Sequence, residues 1–172
     1  MKKILSIFSI LGVVMIMTSC FNDSKVVFSG SLVEFNTTVL TAPTTGVAYP
    51  IISLRNNAGA TATQINFVAA QRDNAENIKV SVNDAEITKA IAALAALRIV
   101  AIPAVAGVHY SLDNNGTFVL PAKTSITNMT FNVLNAPVDT GKFAVVVFTL
   151  QGNGTDIKAS ENYKSIAYRI QL

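Results

Sequence analysis

An all-β sandwich with one short helix is the fold class this sequence predicts, and three observations predict it. Short segments rich in Val, Ile, Phe, Thr and Tyr recur along residues 26–172, about eight or nine of them, separated by turn-forming clusters. Several of these segments alternate apolar and polar residues at period two, the pattern of a sheet with one face buried. Only Asn83 to Arg98 breaks that rhythm with helical spacing.

Taken in order, Val26 to Leu40 (VVFSGSLVEFNTTVL) reads as strand, rich in Val, Phe and Thr and free of Pro. Thr41 to Gly46 (TAPTTG) is a turn cluster. Tyr49 to Arg55 (YPIISLR) is again strand, with Pro50 at its start, where a missing N–H donor does little harm. Asn56 to Thr61 (NNAGAT) breaks it. Ile65, Phe67 and Ala69 then alternate with their neighbours, and Ile78-Lys79-Val80-Ser81-Val82 alternates cleanly.

In the helical stretch, Asn83 followed by Glu86 has the spacing of a capping box, and Ile87, Ala90, Ile91, Leu94 and Leu97 share one face. Its alanines favour helix and allow close approach to a sheet. Lys89 and Arg98 are too few for a basic face directed at a membrane. The expectation is a helix packed on the core, crossing from one sheet to the other.

Strands resume at Ile99. IVAIP ends at Pro103, and Gly107 to Leu112 leads into Asp113-Asn114-Asn115-Gly116, a turn whose Asn-Gly pair suits positive φ. Phe118 to Pro121 follows. Ile126 to Leu134 and Phe143 to Leu150 are two strong strands separated by Asn135 to Gly141. Gln151 to Asn162 reads as a polar loop, and Tyr163 to Leu172 as the closing strand, with Ile166, Tyr168 and Ile170 in alternation. There is no internal repeat and no linker long enough to divide residues 26–172.

The amino-terminal segment has a different character. Lys2 and Lys3 precede Ile4 to Cys20 (ILSIFSILGVVMIMTSC), a run of about fourteen apolar residues followed by small polar ones, the layout of an export signal. A membrane-spanning helix needs about twenty apolar residues, so this run is too short. Met17-Thr18-Ser19-Cys20 resembles the lipobox of bacterial lipoproteins, with Met17 where Leu is commoner. That resemblance implies removal of residues 1–19, a diacylglycerol on the Cys20 sulfur and a membrane anchor there. A short polar tether, residues 20–25, would precede a single domain, residues 26–172. Cys20 is the only cysteine, so it has no intramolecular disulfide partner and no second thiol with which to bind a metal.

Without Lys2 and Lys3, eleven basic residues face ten acidic ones, a net charge of +1. The lysines are scattered, so nucleic acid is not an expected partner.

Ala106 to Leu112, Phe118 to Ala122, Thr130 to Leu134 and Phe143 to Leu150 are similar to the later strands of Calx-beta-like domains, in which a Gly-x-x-Tyr step leads into a strand, a short turn and a long strand pair. Ser160 to Ile166 is similar to the close of immunoglobulin-like domains in Bacteroidota surface lipoproteins. The resemblance covers about residues 65–172. It implies an immunoglobulin-like or Calx-beta-like sandwich at the outer membrane. It also implies a non-catalytic accessory role in glycan uptake, with a transporter, a glycan-binding lipoprotein or a carbohydrate as partner. A structural or adhesive surface subunit, assembling through its strand edges, is the alternative.

Residues fit for catalysis are sparse. His109 is the only histidine, and Ser111 merely shares its strand face, so no nucleophile, base and orienting acid are gathered. No G-x-S-x-G, H-E-x-x-H or phosphate-loop pattern occurs. The acids are spread out, so neither a metal site nor a glycosidase pair is expected; only loops such as those bearing Asp113 and Asp156 could converge on a hard cation. No cofactor is expected. Sugar binding commonly uses exposed aromatic faces, but there is no Trp, and Phe67, Phe131, Phe143 and Phe148 read as core. Among the tyrosines at 49, 110, 163 and 168, Tyr49 lies near a turn and is the preferred ligand contact, with Asn114 and Asn115 as polar contacts from their loop.

Overall fold

A computed structural model of the protein describes residues 30–172. The expected signal segment and tether, with Cys20, lie outside the described residues. Two mixed sheets face one another. The first has the strand order β10-β1-β3-β8-β6, where β1 is Ser31–Phe35, β3 Gly59–Val68, β6 Tyr110–Leu112, β8 Ile126–Val133 and β10 Ile157–Ala159. The second has the order β2-β11-β9-β4-β7, with β5 also paired to β9; here β2 is Ile51–Leu54, β4 Glu76–Val82, β5 Val100–Pro103, β7 Thr117–Leu120, β9 Lys142–Gly152 and β11 Ser165–Gln171. The all-β sandwich read from the sequence is the observed fold.

Alternation supplies the core between the sheets. Val33, Phe35, Ile65, Phe67, Ile78, Val80, Met129, Phe131 and Val133 point inward from their strands and are buried. At the centre, Phe131, Phe148 and Tyr168 pack ring to ring, with Phe131 and Tyr168 4.9 Å apart, and Tyr110 meets Phe148 edge-on at 5.8 Å. The Tyr168 hydroxyl is paired with the buried Thr63 hydroxyl, so its polar end is satisfied inside the core.

β9 is buried on both faces, from Ala144 to Leu150 without interruption. Ala144, Val146, Phe148 and Leu150 face the opposite sheet. Val145 and Val147 face the other way, into a second apolar layer with Ala167, Tyr49 and the helix side chains Ile87, Ala90 and Leu94. That is why Phe143 to Phe148 is a continuous apolar run in the sequence rather than an alternating one.

The main helix, α2 (Asp84–Ala96), therefore covers the outer face of the second sheet. It does not cross between sheets as expected, because β4 before it and β5 after it both pair with β9. Asn83 caps it, the side-chain oxygen accepting from the Glu86 N–H at 3.2 Å, a contact worth about 1 kcal/mol. The carboxylate of Glu86 does not complete the box but pairs with Lys89 at 2.6 Å. At the other end the Ile99 N–H bonds to the Leu94 carbonyl and the Arg98 N–H to that of Ala95. This two-bond cap places Arg98 at φ 61°, a backbone conformation that glycine adopts more easily.

Other expectations need correction. The strand expected through Leu40 stops at Phe35, and Asn36–Leu40 form a one-turn helix, α1. Tertiary contact overrides strand propensity there, since the buried Thr38 hydroxyl donates to the Ser165 carbonyl at 2.9 Å. The expected polar loop from Gln151 to Asn162 contains β10, which pairs in parallel with β1. Phe143 is not core; it sits half-buried on the outer face with the Arg169 guanidinium 5.0 Å from its ring centre. Among the described residues no helix is long and apolar enough to cross a membrane.

Candidate functional site

Three shallow clefts adjoin one another around the turn Glu161-Asn162-Tyr163-Lys164, and Glu161 borders all of them. Their volumes are about 190, 360 and 380 Å³. Together they form a furrow over the junction of the β10–β11 turn, the α1–β2 loop and the start of α2. One end is walled by Pro43, Ala48, Pro50 and Tyr163, and the other by Asn83, Thr149, Gln151, Lys158 and Lys164.

Backbone bonds on several sides hold the turn in place. The Phe35 N–H bonds to the Tyr163 carbonyl at 2.9 Å, the Leu150 N–H to the Lys164 carbonyl at 2.8 Å and the Ser160 N–H to the Val33 carbonyl at 2.9 Å. Beneath it, the buried hydroxyls of Thr149 and Ser165 share a hydrogen bond of 3.0 Å. With its backbone so occupied, the turn projects Tyr163 outward at 39% exposure. Lys164 pairs with Glu161 at 2.7 Å and, by that hydrogen bond, holds the Glu161 carboxyl below the usual carboxylate range. Exposed ion pairs of this kind contribute little to stability and give way readily to a ligand.

Tyr49 borders the central cleft but does not offer its ring face. It is only 3% exposed, packed in the apolar layer beneath α2, and its hydroxyl donates to the Glu86 carbonyl at 2.9 Å. Burial, reinforced by the nearby Glu86 carboxylate, pushes its hydroxyl well above the ordinary tyrosine range. Asn114 and Asn115 both lie at φ 50°, in the turn that carries the chain from β6 in one sheet to β7 in the other. Gly116 follows at φ 74°, so close to β4 that an added Cβ would stand 2.3 Å from the Val80 carbonyl oxygen. These asparagines serve the edge strand β7, whereas Tyr49 leads into β2 at the opposite edge of the same sheet. The structure does not bring the three expected contacts together. The exposed aromatic of the furrow is Tyr163, which the sequence reading placed at the head of a strand; its position in a polar turn, three residues before the Ile166-Tyr168-Ile170 alternation begins, was the available signal.

His109 is a loop fastener. Its ring is buried, and Nδ1 accepts from the Val105 N–H at 2.8 Å, which fixes the loop before β6. Asp113 accepts from the Asn132 side chain. Asp156 is bound by Arg72 and Asn153, and the Arg72 hydrogen bond, chief among several contacts, brings its pKa down to about 2. The two acids are engaged separately, and among the described residues no three His, Cys, Asp or Glu side chains gather as a metal site would require.

No protein-family model matches the sequence, and no curated protein matches it significantly. Solved structures do match the fold. A two-domain protein of unknown function from Bacteroides fragilis NCTC 9343 superposes with a TM-score of 0.58 at 12% identity, over 83% of this chain and 46% of that one. A candidate carbohydrate-binding protein from Bacteroides ovatus ATCC 8483 gives 0.52 at 8% identity, over 81% of this chain and 36% of that one. The apo-form Calx CBD1 domain gives 0.50 at 8% identity, over 83% of this chain and 99% of that one. The chain thus spans less than half the length of either Bacteroides protein. At these identities the likeness establishes the fold alone, an all-β sandwich of the Calx-beta-like kind.

Proposed function

We propose that this protein is a non-catalytic binding component of a bacterial outer-membrane glycan-uptake system, anchored by lipid on Cys20. The observation that carries the reading is the furrow. Its turn backbone is pinned, an aromatic ring is partly exposed at one end, and amide, hydroxyl and charged groups follow along its length. Such a surface can stack a sugar ring while polar groups take its hydroxyls. The lipobox resemblance supports the anchor, and the shared fold of a candidate carbohydrate-binding protein is consistent with the role. Anchoring contributes by confinement: a domain held at one membrane surface meets partners there at raised effective concentration.

The strand-pairing alternative has less support. The edge strands β10, β6, β2, β7 and β5 are each only three or four residues long, a common protection against edge-to-edge association. Gentle detergent extraction of the native protein, with mass spectrometry of what accompanies it, tests the proposal. A transporter and a glycan-binding lipoprotein in fixed ratio support it. Ladders of the protein alone would transfer the case to a structural subunit. Cys20→Ser should release the protein from salt-washed membranes, and retention would end the lipid-anchor reading.

A further inference from the structure

The two ends of the furrow differ in chemistry, and that difference defines a ligand class. At one end Pro43, Ala48, Pro50 and Tyr163 present an apolar wall. At the other, Lys158 and Lys164 border one cleft with the amides of Asn83 and Gln151. The only carboxylate lining that second cleft is Glu161, which is 86% exposed and already bound to Lys164. Lys158 makes no ion pair among the described residues. Two cations thus face one carboxylate that sits at the rim, and the furrow is cationic at its polar end.

We propose that the furrow selects linear oligosaccharides containing uronic acid, with one sugar ring stacked on Tyr163 and the carboxylate of another held by Lys158 and Lys164. The proposal rests on the glycan-binding reading above and adds the charge of the ligand to it. The chemistry matches at the two ends of the furrow: a uronic acid chain repeats an apolar ring face and a carboxylate, and at the central cleft, bordered by Glu86 and Glu161, it presents hydroxyls instead. The ligand carboxylate takes the place of Glu161 beside Lys164, an exchange that costs little because the exposed pair it replaces is weak. An acidic peptide carries the charge but no ring faces at regular intervals, so it satisfies only the lysine end.

The test uses the native lipidated protein in detergent and two probes, tetragalacturonate and its methyl ester, titrated by calorimetry. The acid should bind about fivefold more tightly than the ester at low salt, the worth of one half-exposed ion pair, and the advantage should shrink as salt rises. Lys158→Gln should remove most of that advantage, weakening the acid more than the ester, with the melting temperature unchanged. Tyr163→Ala should weaken both probes about tenfold, the scale of a lost aromatic contact. Equal affinity for acid and ester would overturn the proposal yet leave the glycan-uptake reading standing. Binding of neither sugar would overturn it too, and co-purified transporter would then separate this failure from failure of the wider reading. Tighter binding of an oligoglutamate peptide than of tetragalacturonate would replace the oligosaccharide with an acidic polypeptide.

Discussion

Alkaline pH should probe the layer beneath α2 selectively, through Tyr49. Its ring is buried and its hydroxyl donates to the Glu86 carbonyl, so the folded protein favours the neutral form and the pKa is raised. In the unfolded chain the same hydroxyl ionises near pH 10. Below that pH both states hold the proton and stability is undiminished. Above it the unfolded state is favoured, because it releases a proton that the folded state retains. With the folded pKa raised far beyond the window, Tyr49 alone should remove about 1 kcal/mol between pH 10 and 11. For a domain of this size that lowers the melting temperature by about 3 °C. Tyr49→Phe loses the hydrogen bond, costing about 1 kcal/mol at pH 8, but has no hydroxyl to titrate. Urea unfolding of both proteins from pH 8 to 11 should therefore give curves that start apart and converge at the alkaline end. Other groups, including Tyr110 and Tyr168, whose pKa values are also raised chiefly by burial, contribute equally to both curves. Parallel curves would refute the placement of the Tyr49 hydroxyl inside the fold.

Five further substitutions test three other local claims. Gly116→Ala should cost about 3 kcal/mol or more, since the new Cβ meets a β4 carbonyl, whereas Gly59→Ala, at nearly the same φ with open space around it, should cost only about 1 kcal/mol; denaturant midpoints compare the two directly, and equal losses would remove the steric argument. His109→Ala should cost about 1–3 kcal/mol by leaving the Val105 N–H unpaired, and His109→Asn should recover part of it because an amide oxygen also accepts. Arg98→Gly should stabilise the protein by about 1 kcal/mol, relieving the left-handed residue at the end of α2, and a lowered melting temperature would contradict the cap described for that end.

The sandwich was legible because period-two alternation is a local signal, and Ile78 to Val82 or Ile166 to Ile170 carry it within a few residues. The capped helix was legible for the same reason, from Asn83 and Glu86. What the sequence hid depends on distant partners. The doubly buried β9 is explained only once α2 lands on Val145 and Val147, and Tyr49 becomes interior only because that helix roofs it. α1 runs against the strand preference of its own residues and persists through Thr38 and the Ser165 carbonyl, more than a hundred residues apart in sequence. β10 is three residues in a polar stretch with two Gly and two Asn, and only its pairing with β1 makes it a strand. The furrow followed the same rule: its walls come from separate loops and strand ends, so no single segment advertised it, and Tyr163 was hidden by a strand boundary placed two residues early.

That dispersal of the walls does not make the furrow soft. Its floor is made where β9 and β11 pair, Thr149 opposite Ser165, at the ends of two strands covered on both faces. Three successive carbonyls at the end of the turn are engaged: that of Tyr163 by β1, that of Lys164 by β9 and that of Ser165 by α1. On the reading proposed above, a surface held this way would lose little conformational entropy when a ligand arrives, so that modest contacts at Tyr163 and the two lysines would suffice for recognition. Under the same proposal, long side chains on a pinned backbone would divide the labour: the backbone would fix where the ligand lies, and the ammonium groups would adjust to its charge.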